Sequence, residues 1–112
     1  MSGEVIIKEA KKYLNYNNEL YYKTGRKLDN AGFVEVVYKK AVGKDLPDNT
    51  GFLINMGTRV DRKDLQLGDL VFTTPSHVGI YAGNEHFIHF TNNDGKARLS
   101  KIYSFYTARR IL

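Results

Sequence analysis

The sequence predicts an α+β fold in which helices near the N-terminus pack on one face of an antiparallel sheet of about five strands. Two observations predict this fold. Apolar residues recur at helical spacings of three and four up to Gly57 and at the alternating spacing of strands after it. The apolar segments after Gly57 are also joined by short connections, and strands joined in this way pair antiparallel. With 112 residues, the chain is predicted to form one domain over residues 1–112.

The first predicted helix covers residues 4–14, "EVIIKEAKKYL". Its apolar residues share one face, and lysines and glutamates lie between them. Residues 15–27 are rich in Asn, Tyr and Gly without a clear period, so we expect an irregular loop there. The predicted apolar face consists of Val5, Ile6, Ile7, Ala10, Tyr13 and Leu14.

A second helix is predicted over residues 30–42. It begins after Asp29, a residue type favoured at helix N-caps, and ends at Gly43, which suits the left-handed C-cap position. The segment from about Thr50 to Met56 predicts a short third helix that ends at Gly57.

Five segments after Gly57 are predicted to be strands. They are rich in β-branched and aromatic residues and are separated by "TPS", "GNE", "NNDG" and "YSFY". We expect strands that follow one another in the sequence to pair as a meander. The segments are 69–74, 77–82, 86–91, 97–102 and 107–112.

The charge and the missing cysteines limit the classes of function. The chain carries 17 Lys and Arg against 12 Asp and Glu, a net charge of +5, which favours anionic partners such as nucleic acid, acidic lipid or a bacterial wall polymer. The basic residues are dispersed, which is also typical of an ordinary solvated surface. Since there is no cysteine, disulfides, zinc–thiolate sites and thiol nucleophiles are excluded for the chain as written.

The apolar runs and the N-terminus bear on localisation. No run approaches the ~18 apolar residues of a membrane span, so we expect a soluble protein without one. The start "MSGEVIIKEAKKY" lacks the basic, apolar and small-residue regions of a signal peptide. We therefore expect either a cytosolic chain or one whose leader has been removed.

Three histidines, His77, His86 and His89, lie within two neighbouring predicted strands. A two-residue turn at Gly83 and Asn84 would send His77 and His89 to opposite faces of the sheet. A three-residue loop from Gly83 to Glu85 would instead place both on one face as diagonal neighbours, with Gly79 opposite His89. The sequence leaves both registers open.

Two imidazoles on one face suggest a general base and the group that orients it. The ordinary explanation is a surface histidine and a half-buried strand histidine without a shared role. A zinc site would need a third ligand, and no cysteine or well-placed carboxylate accompanies the pair. Neither a metal nor another cofactor is expected.

Four motifs in order resemble the NlpC-type cell-wall endopeptidases: "LDNAGFVEVVYKKA", "DLQLGDLVF", "SHVGIYAGNEHFIHF" and "TARRIL". The resemblance covers residues 20–112. It implies a papain-like fold and the hydrolysis of an amide in peptidoglycan stem peptides by a Cys-His-His triad. It also implies a secreted or cell-wall-directed protein, although no signal peptide is visible in the chain.

The resemblance also implies roles for individual positions. The family's nucleophilic cysteine falls on Asn30, its general-base histidine on His77 and the polar residue that orients this base on His89. The acidic residue that meets the substrate's amino group falls on Asp29, and Ala31 stands where serine is commoner in the family. Substrate contacts are expected at Asp29, Ala31, Tyr21, Tyr22 and Ser76.

Asn30 cannot serve as the nucleophile, because a carboxamide nitrogen is not basic and offers no acyl-enzyme route. We therefore predict that this copy does not cut. Two explanations are open: a substitution made in an otherwise competent peptidase, or a natural pseudo-enzyme that binds wall peptide. A less favoured hypothesis from another class is a basic nucleic-acid-binding module with Tyr13, Tyr16, Tyr21 and Tyr22 as stacking platforms.

Overall fold

The computed structural model describes residues 2–14, 28–91 and 96–112. Its α-helices lie before its strands in the sequence, as predicted. The helices are α1 (Ser2–Lys11), α2 (Asn30–Val42) and α3 (Thr50–Leu53), and a short 3₁₀ helix spans Arg62–Asp64. The strands are β1 (Thr58–Arg59), β2 (Leu70–Thr74), β3 (His77–Gly83), β4 (His86–Thr91), β5 (Lys96–Lys101) and β6 (Thr107–Arg110).

Helix α2 has the bounds that its capping residues predict. The Asp29 carboxylate accepts a hydrogen bond from the Gly32 backbone N–H at 2.7 Å and thereby pairs one of the free donors of the first turn. Gly43 ends the helix in the left-handed conformation, with φ of 68°. Both signals act within three residues of the helix end, which is why the sequence alone locates them.

The other two helices are shorter than predicted. Helix α1 ends at Lys11 because Leu14 leaves the helical path to form a parallel β-bridge with Ala97 of β5. Tyr13 also follows the helix, but its ring is buried and its hydroxyl donates to Glu9 at 2.8 Å. Helix α3 ends at Leu53, before the predicted end at residue 56.

Within the described residues, the sheet has six strands in the order β1-β6-β2-β3-β4-β5, and every pair of neighbours is antiparallel. Strands β2 to β5 form the predicted meander. The expectation that the last strand pairs with its predecessor is wrong, since β6 crosses over and lies between β1 and β2. Strand β1 was not predicted because two residues are too few to show alternation.

Both sheet faces carry buried apolar residues, which explains the crossover. On the first face, α1 and α2 pack against β3 and β4 in the main core. On the second face, Ile102 and Phe105 of the β5–β6 connection pack against Val71, Tyr81 and Phe87. The connection must run across the sheet to cover these residues, because leaving them in water would cost about 1.5–3 kcal/mol each.

None of the helices within the described ranges is long and apolar enough to cross a membrane.

Candidate active site

The β3–β4 hairpin adopts one of the two registers that the sequence left open. Ile80 pairs with Ile88 and Tyr81 with Phe87, the register in which His77 and His89 share a face. The turn differs from both alternatives. Asn84 and Glu85 both have positive φ, at 51° and 59°, and form a two-residue turn, while a bulge between Tyr81 and Gly83 restores the register.

His77 and His89 are directly hydrogen bonded. The distance from Nε2 of His77 to Nδ1 of His89 is 2.8 Å, and the two rings are nearly perpendicular at 86°. The ring of Phe87 stacks on His89 with centroids 4.3 Å apart. These contacts hold the His89 ring on two sides, and the bond between the imidazoles uses Nε2 of His77 rather than Nδ1.

Gly79 makes this packing possible. A Cβ atom at this position would lie 2.4 Å from Cδ2 of Phe87 and 2.8 Å from Cβ of His89, distances that real side chains do not adopt. The register that places both histidines on one face was predicted to put Gly79 opposite His89, where a glycine leaves room beside the histidines. In the structure, that room is filled by Phe87 and His89 themselves.

A third residue, Ser100, extends the pair and was not among the predicted site residues. Its Oγ lies 2.8 Å from Nε2 of His89. Strand β5 pairs His89 with Arg98 and Phe87 with Ser100, so the hydroxyl reaches His89 from the diagonal position. Alternation could have placed Arg98 and Ser100 on one face, but only the β4–β5 register brings that face beside His89.

The surroundings of His77 and His89 favour the neutral form of both imidazole rings. Burial lowers the pKa of His77 below its ordinary value. The pKa of His89 is lowered to about 4 by burial first, and then by the neighbouring His77 and Arg98. Both imidazoles are therefore neutral near pH 7, and His77 can accept a proton.

Asn30 lies at the first residue of α2, beside the start of β3. Its Oδ1 accepts a hydrogen bond from the Val78 backbone N–H at 3.0 Å. Since Val78 follows His77 directly, this bond brings the helix start next to the histidine pair. A nucleophile at position 30 would lie at the positive end of the α2 dipole, where thiolate is favoured.

The remaining predicted substrate residues occupy different environments. Asp29 is exposed and caps α2, and Ser76 is exposed in the β2–β3 turn, where its N–H donates to Thr74 Oγ1 at 3.2 Å. Ala31 is only 2% exposed, so its side chain faces the core. Tyr21 and Tyr22 lie outside the described residues.

The structure also bears on two further hypotheses, nucleic-acid binding and metal binding. Tyr13 is only 1% exposed and therefore cannot act as a stacking platform for a nucleic-acid base. The predicted platforms Tyr16, Tyr21 and Tyr22 fall in the range that the structure does not describe. No group of three His, Cys, Asp or Glu side chains that could hold a metal ion occurs within residues 2–14, 28–91 and 96–112.

Comparison with known proteins identifies relatives of this chain. Residues 19–112 match the model of the NlpC/P60 family. The Gamma-DL-glutamyl hydrolase of Bacillus subtilis (strain 168) is 38% identical over 97 residues, which are 80% of this chain and 23% of the relative. The Murein DD-endopeptidase MepS/Murein LD-carboxypeptidase of Escherichia coli (strain K12) is 38% identical over 76 residues, 64% of this chain and 40% of the relative. The chain thus spans less than half the length of either relative.

Solved structures agree with the sequence match. The crystal structure of the NlpC/p60 domain of peptidoglycan hydrolase SagA has a TM-score of 0.81 to this chain at 26% identity. The match covers 97% of this chain and 98% of that domain. Together with the family match over residues 19–112, the shared helices and antiparallel sheet lead to one conclusion: the chain belongs to the NlpC/P60 family.

Proposed function

We propose that this domain binds peptidoglycan stem peptides at the start of α2 and β3 and does not hydrolyse them. The observation that carries the proposal is the side chain of Asn30. It stands at the head of α2 beside the ordered His77–His89 pair, and its oxygen is bonded to Val78. The site thus has two hydrogen-bonded imidazoles, while position 30 offers no group that can attack a carbonyl carbon.

The chemistry explains why binding and hydrolysis separate at this site. A nucleophile must first lose its proton to a base and then form an acyl intermediate. Asn30 offers neither a dissociable proton near neutral pH nor a stable acyl product. By analogy with the removal of triad residues in other hydrolases, this loss lowers the rate on the order of 10⁴-fold or more. The groups that contact a substrate do not depend on the nucleophile.

The substrate class rests on three kinds of support. One relative is named a murein endopeptidase and carboxypeptidase, and a structural neighbour is named a peptidoglycan hydrolase. The net charge of +5 favours association with an anionic wall polymer. A wall substrate in turn places the protein in the secreted or cell-wall compartment, and we extend the proposal to that compartment.

Binding is tested by calorimetric titration of purified muropeptides into the unmodified domain. We expect saturable binding that His77→Ala weakens at least about tenfold, since the imidazole lines the site. His86 is half-buried and provides the matched control, because His86→Ala removes an imidazole from the other face of β4 and should leave binding unchanged. Absence of binding at millimolar muropeptide, with the circular dichroism spectrum intact, contradicts the proposal.

Hydrolysis is tested with Asn30→Cys on the same muropeptides, followed by chromatography and mass spectrometry of the products. We expect cleavage by Asn30→Cys, none by the unmodified chain, and none by the double variant Asn30→Cys, His77→Ala. Cleavage would show that only the thiol is missing, as expected of a substituted peptidase. Binding without cleavage by a folded Asn30→Cys variant would favour the natural pseudo-enzyme.

A further inference from the structure

We infer that Ser100 is a positioning residue: its hydroxyl oxygen accepts a hydrogen bond from the N–H at His89 Nε2 and so keeps Nδ1 of His77 free of a proton. The inference extends the proposed function to a residue that acts only through His89. Its effect on hydrolysis depends on the proposed function, but its effect on the protonation of the rings does not.

Three side chains form a continuous line of polar atoms across β3, β4 and β5. Ser100 Oγ lies 2.8 Å from His89 Nε2, and His89 Nδ1 lies 2.8 Å from His77 Nε2. A neutral imidazole carries one proton on its two nitrogens, so one nitrogen donates and the other accepts. The position of the proton on one ring therefore determines its position on the next.

Only two arrangements satisfy both hydrogen bonds. In the first, His77 donates from Nε2 to His89, and His89 donates from its own Nε2 to Ser100. Nδ1 of His77 is then unprotonated and can act as a base. In the second, Ser100 donates to His89, His89 donates from Nδ1 to His77, and Nδ1 of His77 carries the proton. The second arrangement cannot remove a proton from a nucleophile.

The environment of Ser100 favours the first arrangement. A serine hydroxyl has two acceptor lone pairs and can turn its own proton to water, and Ser100 is only partly buried. Arg98, directly across from His89, disfavours a positive charge on that ring, so His89 stays neutral in either arrangement. Phe87 stacks on His89 and Gly79 leaves space for both rings, which fixes the plane in which Nε2 points at Ser100.

The first experiment measures the tautomers by ¹⁵N NMR of the histidine rings at pH 7.5 in the unmodified chain. We expect His77 to be protonated at Nε2 and unprotonated at Nδ1. Ser100→Ala should shift His77 to a mixture of both tautomers, and Ser100→Thr, which keeps the hydroxyl, should restore the single form. Ser104→Ala is the matched control, because its hydroxyl lies on the exposed β5–β6 connection and reaches only Thr73 O at 3.4 Å.

The second experiment repeats the substitutions in the Asn30→Cys background. Ser100→Ala should lower kcat about 10- to 100-fold, the usual effect of removing a group that orients an active residue, while KM changes less than about threefold. Ser100→Thr should recover most of the loss. If Ser100→Ala does not fold, Ser100→Cys replaces the hydroxyl with a poor acceptor of similar size and serves the same comparison.

An unchanged His77 tautomer in folded Ser100→Ala or Ser100→Cys overturns the inference, whether or not Asn30→Cys is active. If Asn30→Cys is inactive but the predicted tautomer shift occurs, only the proposed hydrolytic role is contradicted, because the shift does not require a nucleophile.

Discussion

The side-chain oxygen of Asn30 accepts a hydrogen bond from the backbone N–H of Val78 at 3.0 Å and ties the start of α2 to the start of β3. A cysteine sulfur is a poor acceptor and cannot replace this bond. Asn30, which stands where we propose that the family's nucleophile belongs, therefore also pairs a backbone donor beside His77. We expect Asn30→Cys to gain reactivity and lose stability.

Asn30→Ala should lower the free energy of unfolding by about 1–2 kcal/mol, because it leaves the Val78 N–H without its acceptor. Asn30→Asp should be no less stable than the unmodified chain near pH 7, since a carboxylate keeps the acceptor and is favoured in the first turn of a helix. Urea denaturation of the three proteins checks this order. Equal stability of Asn30→Ala and the unmodified chain would show that water replaces the bond without cost.

Gly79→Ala should lower the free energy of unfolding by about 1–3 kcal/mol, because the added methyl group overlaps Phe87 and His89. The same variant should broaden or shift the ring resonances of His77 and His89. Gly51→Ala is the control, since this glycine is exposed in α3 and its Cβ would meet only Asn49 Oδ1 at 3.0 Å. A change below about 1 kcal/mol is expected for the control.

The free energy of unfolding should fall on acidification, because His89 binds a proton more readily in the unfolded chain than in the folded one. Its folded pKa of about 4 lies below the ordinary value of 6.5, so between these values the unfolded chain binds more protons. The stabilising contribution is full above pH 6.5 and is lost as the pH falls toward 4. His77, whose pKa is also lowered, acts in the same direction.

The measurement is the Tm at pH 7 and at pH 5 for the unmodified chain and for His89→Gln, which keeps polar atoms but does not titrate. We expect a larger fall in Tm for the unmodified chain. One group changes the unfolding free energy by at most about 1.4 kcal/mol per pH unit, and partial exposure reduces this value. Parallel pH profiles for both proteins would contradict the assignment to His89.

Arg110→Met should destabilise the domain by about 2–4 kcal/mol, because it removes the partner of a buried carboxylate. Asp69 is only 3% exposed and accepts two hydrogen bonds from Arg110, at 2.9 and 2.8 Å. Arg59→Met is the matched control, since its ion pair with Asp61 joins side chains that are 65% and 50% exposed. Less than about 1 kcal/mol is expected for the control, and similar losses in both variants would contradict the prediction.

The parts of the fold that were predicted correctly depend on interactions between residues that are close in the sequence. Helix α2 was located to the residue because Asp29 and Gly43 act at its ends. Helix α1 was extended too far because the pattern continues to Leu14, whereas Leu14 pairs with Ala97, far along the chain. Strand β6 was assigned to the wrong neighbour for the same reason, since its pairing with β2 depends on covering the second face of the sheet.

The same distinction between local and long-range interactions applies to the candidate site. The residue types are readable from the sequence: a capped helix start at position 30 without a thiol, and histidines that alternation allows to share one face. The three-dimensional arrangement adds that His77 and His89 meet, that Ser100 continues their hydrogen bonds, and that Asn30 bonds to Val78. Capping and alternation act over a few residues, so a short stretch of sequence predicts them. The strand register and the β5–β6 crossover depend on burying both sheet faces at once, which involves residues that lie far apart in the sequence.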